Sequence, residues 1–545
     1  MSPRIRRTLF SLTVFLAACG LAGMVLNQKV GAQANTDEST LRDGLHAFTN
    51  VYSVVEQNYA EKLTGDKADK AIYDGAIPGM LHELDPHSSF YDPKAFAQMR
   101  EDQHGKYYGV GMSIQPHLTS AGKTQIVVLS PFEGTPAYKA GIRPGDVILS
   151  VDGKDVDNLD SAGVANLLKG PRGTHVIVIM GREGTIKPIT FDLVRDEIPH
   201  NSVDLAFLIR PGVGYIHVTN FQETTSREVG TALDNFGDIN GMILDLRSNP
   251  GGLLNEAVAV SDKFLKKGQI VVSQRGRSFP DVVYRVEHGS AVKDFPLVVL
   301  VNRNTASAAE IVSGALQDHD RALIAGETTF GKGLVQTVYP LSEDTGLALT
   351  TYHYYTPSGR LIQRNYNGVS LYDYYYVRDT GTVADSTNRE VKLTDSGRTV
   401  YGGGGITPDV KIDTPKSNHF EDTLLQHYAF FNFSKHYLAT RTVSKDFVVD
   451  EAVMNEFKQF LTANNIEYTD SDLNGVMDWV KASIKAELFT SQFGQLEGLK
   501  VRADWDPMIN KGLTLLPQAQ ALEDHSRQVL AEKATTSAPA VPAAK

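Results

Sequence analysis

Apolar residues recur every three or four positions between about Thr36 and Gln103, in Leu45, Phe48, Val51, Val54 and Val55 and again in Ile72, Ile77, Met80, Leu81 and Leu84. That spacing predicts amphipathic helices. Asp85-Pro86-His87-Ser88-Ser89 stops it, because proline restricts the residue before it; the region (36–103) reads as a helical cap on the next unit. From Gly105 to Ile198 the pattern changes to short apolar runs separated by glycine turns, with a short helix around Ser161 to Leu168. From Asn201 to Lys411 strands and helices alternate. Val213–Val218, Met242–Leu246, Leu297–Val301 and Ala322–Ala325 read as strands, and Thr225–Phe236, the stretch from Leu254 and Ala306–Gln317 as helices, the rhythm of an α/β layer. Past Asn418 the helical period returns in Leu424–Leu438, Val453–Phe460 and Leu473–Leu488. The predicted architecture is therefore multidomain α/β, with boundaries near 36–103, 105–198, 201–413 and 418–530, and an Ala/Pro/Thr-rich tail (531–545) expected to be disordered.

Within the second segment, Gly109-Val110-Gly111-Met112 precedes the strand Ser113-Ile114-Gln115, and Ala140-Gly141-Ile142-Arg143-Pro144-Gly145-Asp146 precedes Val147–Val151. Together these resemble a PDZ domain over some 90 residues. Glycines allow consecutive backbone N–H groups to face one concavity, which suits a terminal carboxylate, while the peptide behind it pairs with a sheet edge. Gly109, Val110, Gly111 and Met112 are the candidate peptide-binding residues; a plain tight turn is the alternative for the glycines taken alone.

Composition narrows the function. The chain has 545 residues, enough for three or four units, and its formal net charge of -11 argues against a general nucleic-acid binder. The single cysteine, Cys19, excludes an intrachain disulfide and a thiolate zinc site, and no His-Glu-x-x-His run occurs. No cofactor or metal is expected.

Residues 1–34 read as an export signal. Arg4, Arg6 and Arg7 precede the uncharged stretch Leu9–Leu26, and Ala32-Gln33-Ala34 fits a small-x-small cleavage site. The apolar stretch is also long enough to remain as an inner-membrane anchor, and Leu16-Ala17-Ala18-Cys19 looks like a lipoprotein box. Each alternative puts the body of the protein in a bacterial periplasm or cell envelope.

The chemistry concentrates between Val301 and Gln336. Ser307, between Ala306 and Ala308-Ala309, lies where a buried strand turns into a helix, beside free N–H groups and the positive end of the helix dipole. Small residues there also permit close helix packing, the plainer explanation. No histidine is close in sequence except His319 at the far end of that helix, so a nucleophilic serine needs another base. Lys332, between Gly331 and Gly333, is the candidate: desolvation lowers an amine from about 10.4 toward neutrality. Gln336 could orient it. A phosphate loop is disfavoured, since its Gly-x-x-x-x-Gly-Lys-Ser/Thr pattern is missing. Asn249-Pro250-Gly251-Gly252, directly after a strand, makes a rigid turn; Gly251 or Gly252, with the N–H of Ala308, would form an oxyanion hole.

Leu246-Arg247-Ser248-Asn249-Pro250-Gly251-Gly252, Val301-Asn302 with Ala306-Ser307-Ala308, and Gly326-Glu327-Thr328-Thr329-Phe330-Gly331-Lys332-Gly333-Leu334-Val335-Gln336 resemble the carboxyl-terminal processing proteases. Thr356–Arg360 and Gly402–Val410 add to the likeness, which spans roughly Thr36 to Asp413. The resemblance implies a Ser–Lys dyad assisted by glutamine, in a crotonase/Clp-like core. It also implies a PDZ domain that binds the C-terminal segments of protein substrates and gates the site. Related proteases often carry arginine where Lys169 stands; lysine lacks the planar fork. The C-terminal helices fall outside the likeness and would serve a homo-oligomer or an adaptor. A non-catalytic binding protein and a crotonase-like acyl-thioester enzyme are the competing classes; export and the PDZ segment weigh against the second.

Overall fold

The computed structural model describes residues 38–63, 65–118, 123–289, 295–377 and 389–536. The predicted export signal and residues 537–545 of the predicted tail lie outside them. Two units separate, Met1–Gly79 and Met80–Lys545. The first carries the long helix Glu38–Asn58, on which Leu45, Phe48 and Val51 are exposed. Among the described residues no helix is long and apolar enough to cross a membrane.

In the second unit, strands Met112–Leu118, Thr124–Pro131, Val147–Val151, His175–Gly181 and Ile189–Val194 form an antiparallel sheet in that order. Its core gathers Val128, Ile148, Val164, Val176 and Val178. Among the described residues Met112–Leu118 pairs with a single strand and so forms an edge of its sheet, and helix Ser161–Leu168, capped by Asp160, packs beside it.

Ser307 and the Gly251-Gly252 turn follow strands of a six-stranded sheet ordered Val203–Arg210, Val213–Val218, Gly241–Asp245, Leu297–Val301, Leu323–Gly326, Val410–Lys411. All pairings except the first are parallel. A parallel sheet needs both faces covered. Helices Thr225–Phe236, Leu254–Ser261 and Ala308–Asp318 cover one, burying Leu244, Val299 and Ile324. Helices Gln495–Trp505, Pro507–Thr514 and Leu516–Thr536 cover the other, with Ala503, Ile509 and Ala519 against Ile243, Val298 and Leu300. The C-terminal region thus divides: residues 419–493 hold their own core around Phe433, Phe457 and Ile484, whereas the helices after Gly494 complete the central layer. The last helix continues to Thr536, into the segment expected to be disordered.

A second sheet follows the loop of Lys332 and carries Gln336. Its ten-residue strand Gly346–Tyr355 pairs with Leu334–Pro340, with Ile270–Gly276 and, at its start, with Ser89–Tyr91 from the end of the N-terminal helical region.

Candidate active site

Ser307 stands at the N-cap of the helix Ala308–Asp318 with φ 55° and ψ −116°, a region sparsely used by serine. The helix starts two residues later than the apolar pattern suggests, because this residue is bent out of it. Two contacts hold the bend. The Ser307 N–H donates to Glu310 Oε2 at 2.8 Å, and Tyr354 OH donates to the Ser307 carbonyl at 3.1 Å.

Glu310 is fully buried and does more than cap. Its Oε2 also accepts from the Lys332 N–H at 2.9 Å, and its Oε1 from the Gly331 N–H at 2.7 Å and the Thr329 hydroxyl. One carboxylate therefore joins the serine loop to the lysine loop and keeps the Ser307 and Lys332 backbone nitrogens within about 6 Å. Burial pushes this carboxyl up to about 7, against the hydrogen bonds that favour its anion.

Burial likewise pushes the Lys332 amine below its ordinary value, opposed by the carboxylates of Glu310 and Asp85. No acidic oxygen among the described residues stands within ion-pair distance of that amine. A desolvated amine without an ion-pair partner gives up its proton most readily. Gln336 sits on the strand beyond the loop, at a bulge between Val335 and Gln336, and its Nε2 donates to Thr350 Oγ1 at 3.2 Å. The expected hydrogen bond from Gln336 to the amine is not among those formed; the amide oxygen is the end left available for it.

The turn Leu246–Gly252 is fastened to the serine loop. Ala306 N–H donates to the Asn249 carbonyl at 2.9 Å, Thr305 Oγ1 to the Leu246 carbonyl at 2.8 Å, and Ser248 N–H to Asn302 Oδ1 at 2.8 Å. Of the two glycines proposed as oxyanion donors, Gly251 has its N–H engaged by Asn249 Oδ1 at 2.8 Å. The N–H groups of Gly252 and Ala308 donate to no group among the described residues. Gly251 (φ 98°) is needed for closeness: a Cβ there would lie 2.7 Å from Ser307 Cβ and 2.8 Å from the Ala308 nitrogen.

One histidine missed by local reading enters the site. His87, in the turn Asp85–Ser88, has ring contacts with Phe330 and Tyr374, and burial together with the Lys332 charge pushes it down to about 3. His319 is bound elsewhere, to Asp395 and the Ile270 carbonyl, each at 2.7 Å. Asp85 and Ser88 carry no catalytic signal in the local sequence; Glu310, three residues after Ser307, carries the signal of a helix N-cap partner.

In the glycine loop, Val110 and Met112 are buried, and the Gly111 carbonyl accepts from Phe132 N–H at 3.0 Å and Thr135 Oγ1 at 2.9 Å. The N–H groups of Val110 and Gly111 donate to no group among the described residues. Lys169 pairs with Glu101 at 2.8 Å and lies over the Tyr107 ring. Among the described residues no group of His, Cys, Asp or Glu is placed to hold a metal.

Three family models match stretches of the chain. Residues 127–180 match the PDZ domain, 212–371 peptidase family S41, and 420–472 a "Probable PDZ-protease, C-terminal helical domain". A "Carboxy-terminal-processing protease" of Bartonella bacilliformis is 37% identical over 366 residues, covering 66% of this chain and 80% of its own. A "Probable CtpA-like serine protease" of Staphylococcus aureus (strain N315) is 30% identical over 463 residues, 82% of each chain. Among solved structures, the photosystem II D1 C-terminal processing protease is 29% identical, covering 68% of this chain and 92% of that one, with a TM-score of 0.34.

Proposed function

Given that the chain belongs to the carboxy-terminal-processing proteases of peptidase family S41 and is a serine-type peptidase carrying a PDZ domain, we propose that Ser307 is its nucleophile and Lys332 its general base. The observation that supports this is the Glu310 carboxylate, which accepts from the backbone N–H groups of Ser307 and Lys332 and so ties the loop of a bent-out serine to the loop of a buried amine that has no ion-pair partner among the described residues. Neutral Lys332 takes the Ser307 hydroxyl proton as Oγ attacks a peptide carbonyl. The oxyanion gathers at the N–H groups of Gly252 and Ala308, and the ammonium returns its proton to the leaving amine. Water then repeats the sequence on the acyl-enzyme, with Lys332 as base, and releases the new carboxylate. Gln336 offers its amide oxygen to the amine and directs it.

The substrates are proteins engaged through their C-terminal segments. The loop Gly109–Met112 offers the Val110 and Gly111 N–H groups to the terminal carboxylate, and the edge strand Met112–Leu118 pairs with the preceding residues. The basic, then apolar, N-terminal sequence supports export, placing the enzyme in a bacterial periplasm or cell envelope.

The test is cleavage of a loosely folded protein with a free C-terminus by wild type, S307A and K332A. Both variants should lose cleavage while still binding a C-terminal peptide. Cleavage at the wild-type rate by S307A overturns the assignment.

A further inference from the structure

We infer that Asp85 and Ser88 are positioning residues for the base, acting through Thr350 on Gln336, while His87 in the same turn acts through Tyr374 and Gln363 on the Gly333 backbone next to Lys332. This rests on the Ser307–Lys332 reading and adds to it a part of the chain that lies far from both residues in sequence.

Two hydrogen-bond chains converge on the turn. In the first, Gln336 Nε2 donates to Thr350 Oγ1 at 3.2 Å, Thr350 N–H donates to Ser88 Oγ at 3.1 Å, and Ser88 Oγ donates to Asp85 Oδ2 at 2.7 Å. Asp85 Oδ1 accepts from the N–H groups of His87 at 2.8 Å and Ser88 at 2.7 Å, so the turn is closed on itself. In the second, Gly333 N–H donates to Gln363 Oε1 at 2.8 Å, Gln363 Nε2 donates to Tyr374 OH at 3.2 Å, and Tyr374 OH lies 3.0 Å from His87 Nε2. Tyr375 OH donates to the Pro86 carbonyl at 2.6 Å. Both chains start on the stretch that follows Lys332, one at its neighbour Gly333 and the other at Gln336.

The first chain has a chemical consequence. A primary amide has a donor end and an acceptor end, and only the acceptor helps a neutral amine that must donate while it receives a proton. Engaging the Gln336 nitrogen with Thr350 leaves the oxygen for Lys332, and Ser88 fixes the backbone that carries Thr350. Asp85 and Ser88 are 6% and 2% exposed, so water does not replace these bonds cheaply. Asp85 adds charge: with Glu310 it opposes the fall in the proton affinity of Lys332. Glu310 from the serine helix and Asp85 act on the lysine, the lysine and Arg364 act on His87, and Tyr366, Tyr374 and Tyr375 feel the charge of Asp85, Glu310 or Arg364.

The experiment compares kcat and KM across pH for the full chain, using a fluorogenic peptide with a free C-terminal carboxylate, with melting curves for every variant. S88A should lower kcat about tenfold to a hundredfold with KM unchanged, S88T should recover most of that loss, and S88A in a Q336A background should cost nothing further. D85N should shift the acid limb of kcat to lower pH, because one of two carboxylates favouring the ammonium is gone. Equal losses from S88A with and without Gln336, or a D85N acid limb at the wild-type position, overturn the inference. If S307A is inactive while S88A and D85N match wild type, only the positioning role falls; if S307A remains active, the Ser–Lys reading falls as well.

Discussion

Glu310 Oε2 accepts from the backbone N–H of Lys332 at 2.9 Å and from that of Ser307 at 2.8 Å, so one oxygen sets the separation of the two loops. Glu310→Gln keeps the shape but turns half of the acceptor into a donor facing donors. Cleavage should fall about a hundredfold or more, with KM little changed and the melting temperature lowered by the unsatisfied buried groups. A folded E310Q with wild-type kcat would remove this residue from the machinery.

The base works only as a neutral amine, so kcat should rise with pH through a single ionisation below the ordinary lysine value of about 10.4. Lys332→Arg should abolish the rise and the activity together, because guanidinium does not give up its proton. The folded state holds this proton less tightly than the unfolded chain does, so below the ordinary lysine value, pH 7 included, the buried amine costs stability. Lys332→Met should therefore be inactive yet melt above wild type. A K332M that melts lower contradicts the desolvated amine.

The two glycines of the turn should separate activity from stability. In Gly251→Ala the new methyl meets Ser307 Cβ and the Ala308 nitrogen, so peptide hydrolysis should disappear while the far sheet domain stays folded. In Gly252→Ala it meets the Phe221 carbonyl at 2.1 Å, at a φ of 143°, and the core should lose roughly 1–3 kcal/mol or more. Denaturant midpoints and initial rates distinguish the two effects.

His87 makes stability depend on pH. Its folded value of about 3 lies below the ordinary 6.5, so the folded state resists protonation. Nothing is lost above about pH 6.5, and stability falls as pH drops from there toward 3, by up to about 1.4 kcal/mol per unit. His87→Gln should flatten this slope relative to wild type between pH 7 and 5 in urea titrations. Parallel curves for the two proteins count against a buried neutral imidazole.

Local pattern located many elements well. Val213–Val218, Leu297–Val301, Thr225–Phe236 and Ser161–Leu168 have in the structure the limits that apolar spacing predicts. It failed where a helix breaks without losing its apolar face. The predicted helix Leu424–Leu438 is two, His419–Gln426 and Ala429–Leu438, turned at Tyr428 with φ 49°. The predicted helix Leu473–Leu488 is likewise broken at Val476. Both halves of each pair bury side chains in the same core, so the hydrophobic rhythm continues through the break.

The order of residues along the chain was enough to nominate Ser307, Lys332 and the Gly251-Gly252 turn, because each lies at a strand or loop end whose chemistry is local. Which groups surround the amine was decided only by folding. Asp85 and His87 are coupled to it, and Ser88 to Thr350, because Ser89–Tyr91 pairs with the strand Gly346–Tyr355. The helices after Gly494 became part of the central layer because a parallel sheet must bury its second face. Proton affinity depends on everything packed around a group, and spacing along one chain carries no record of those neighbours.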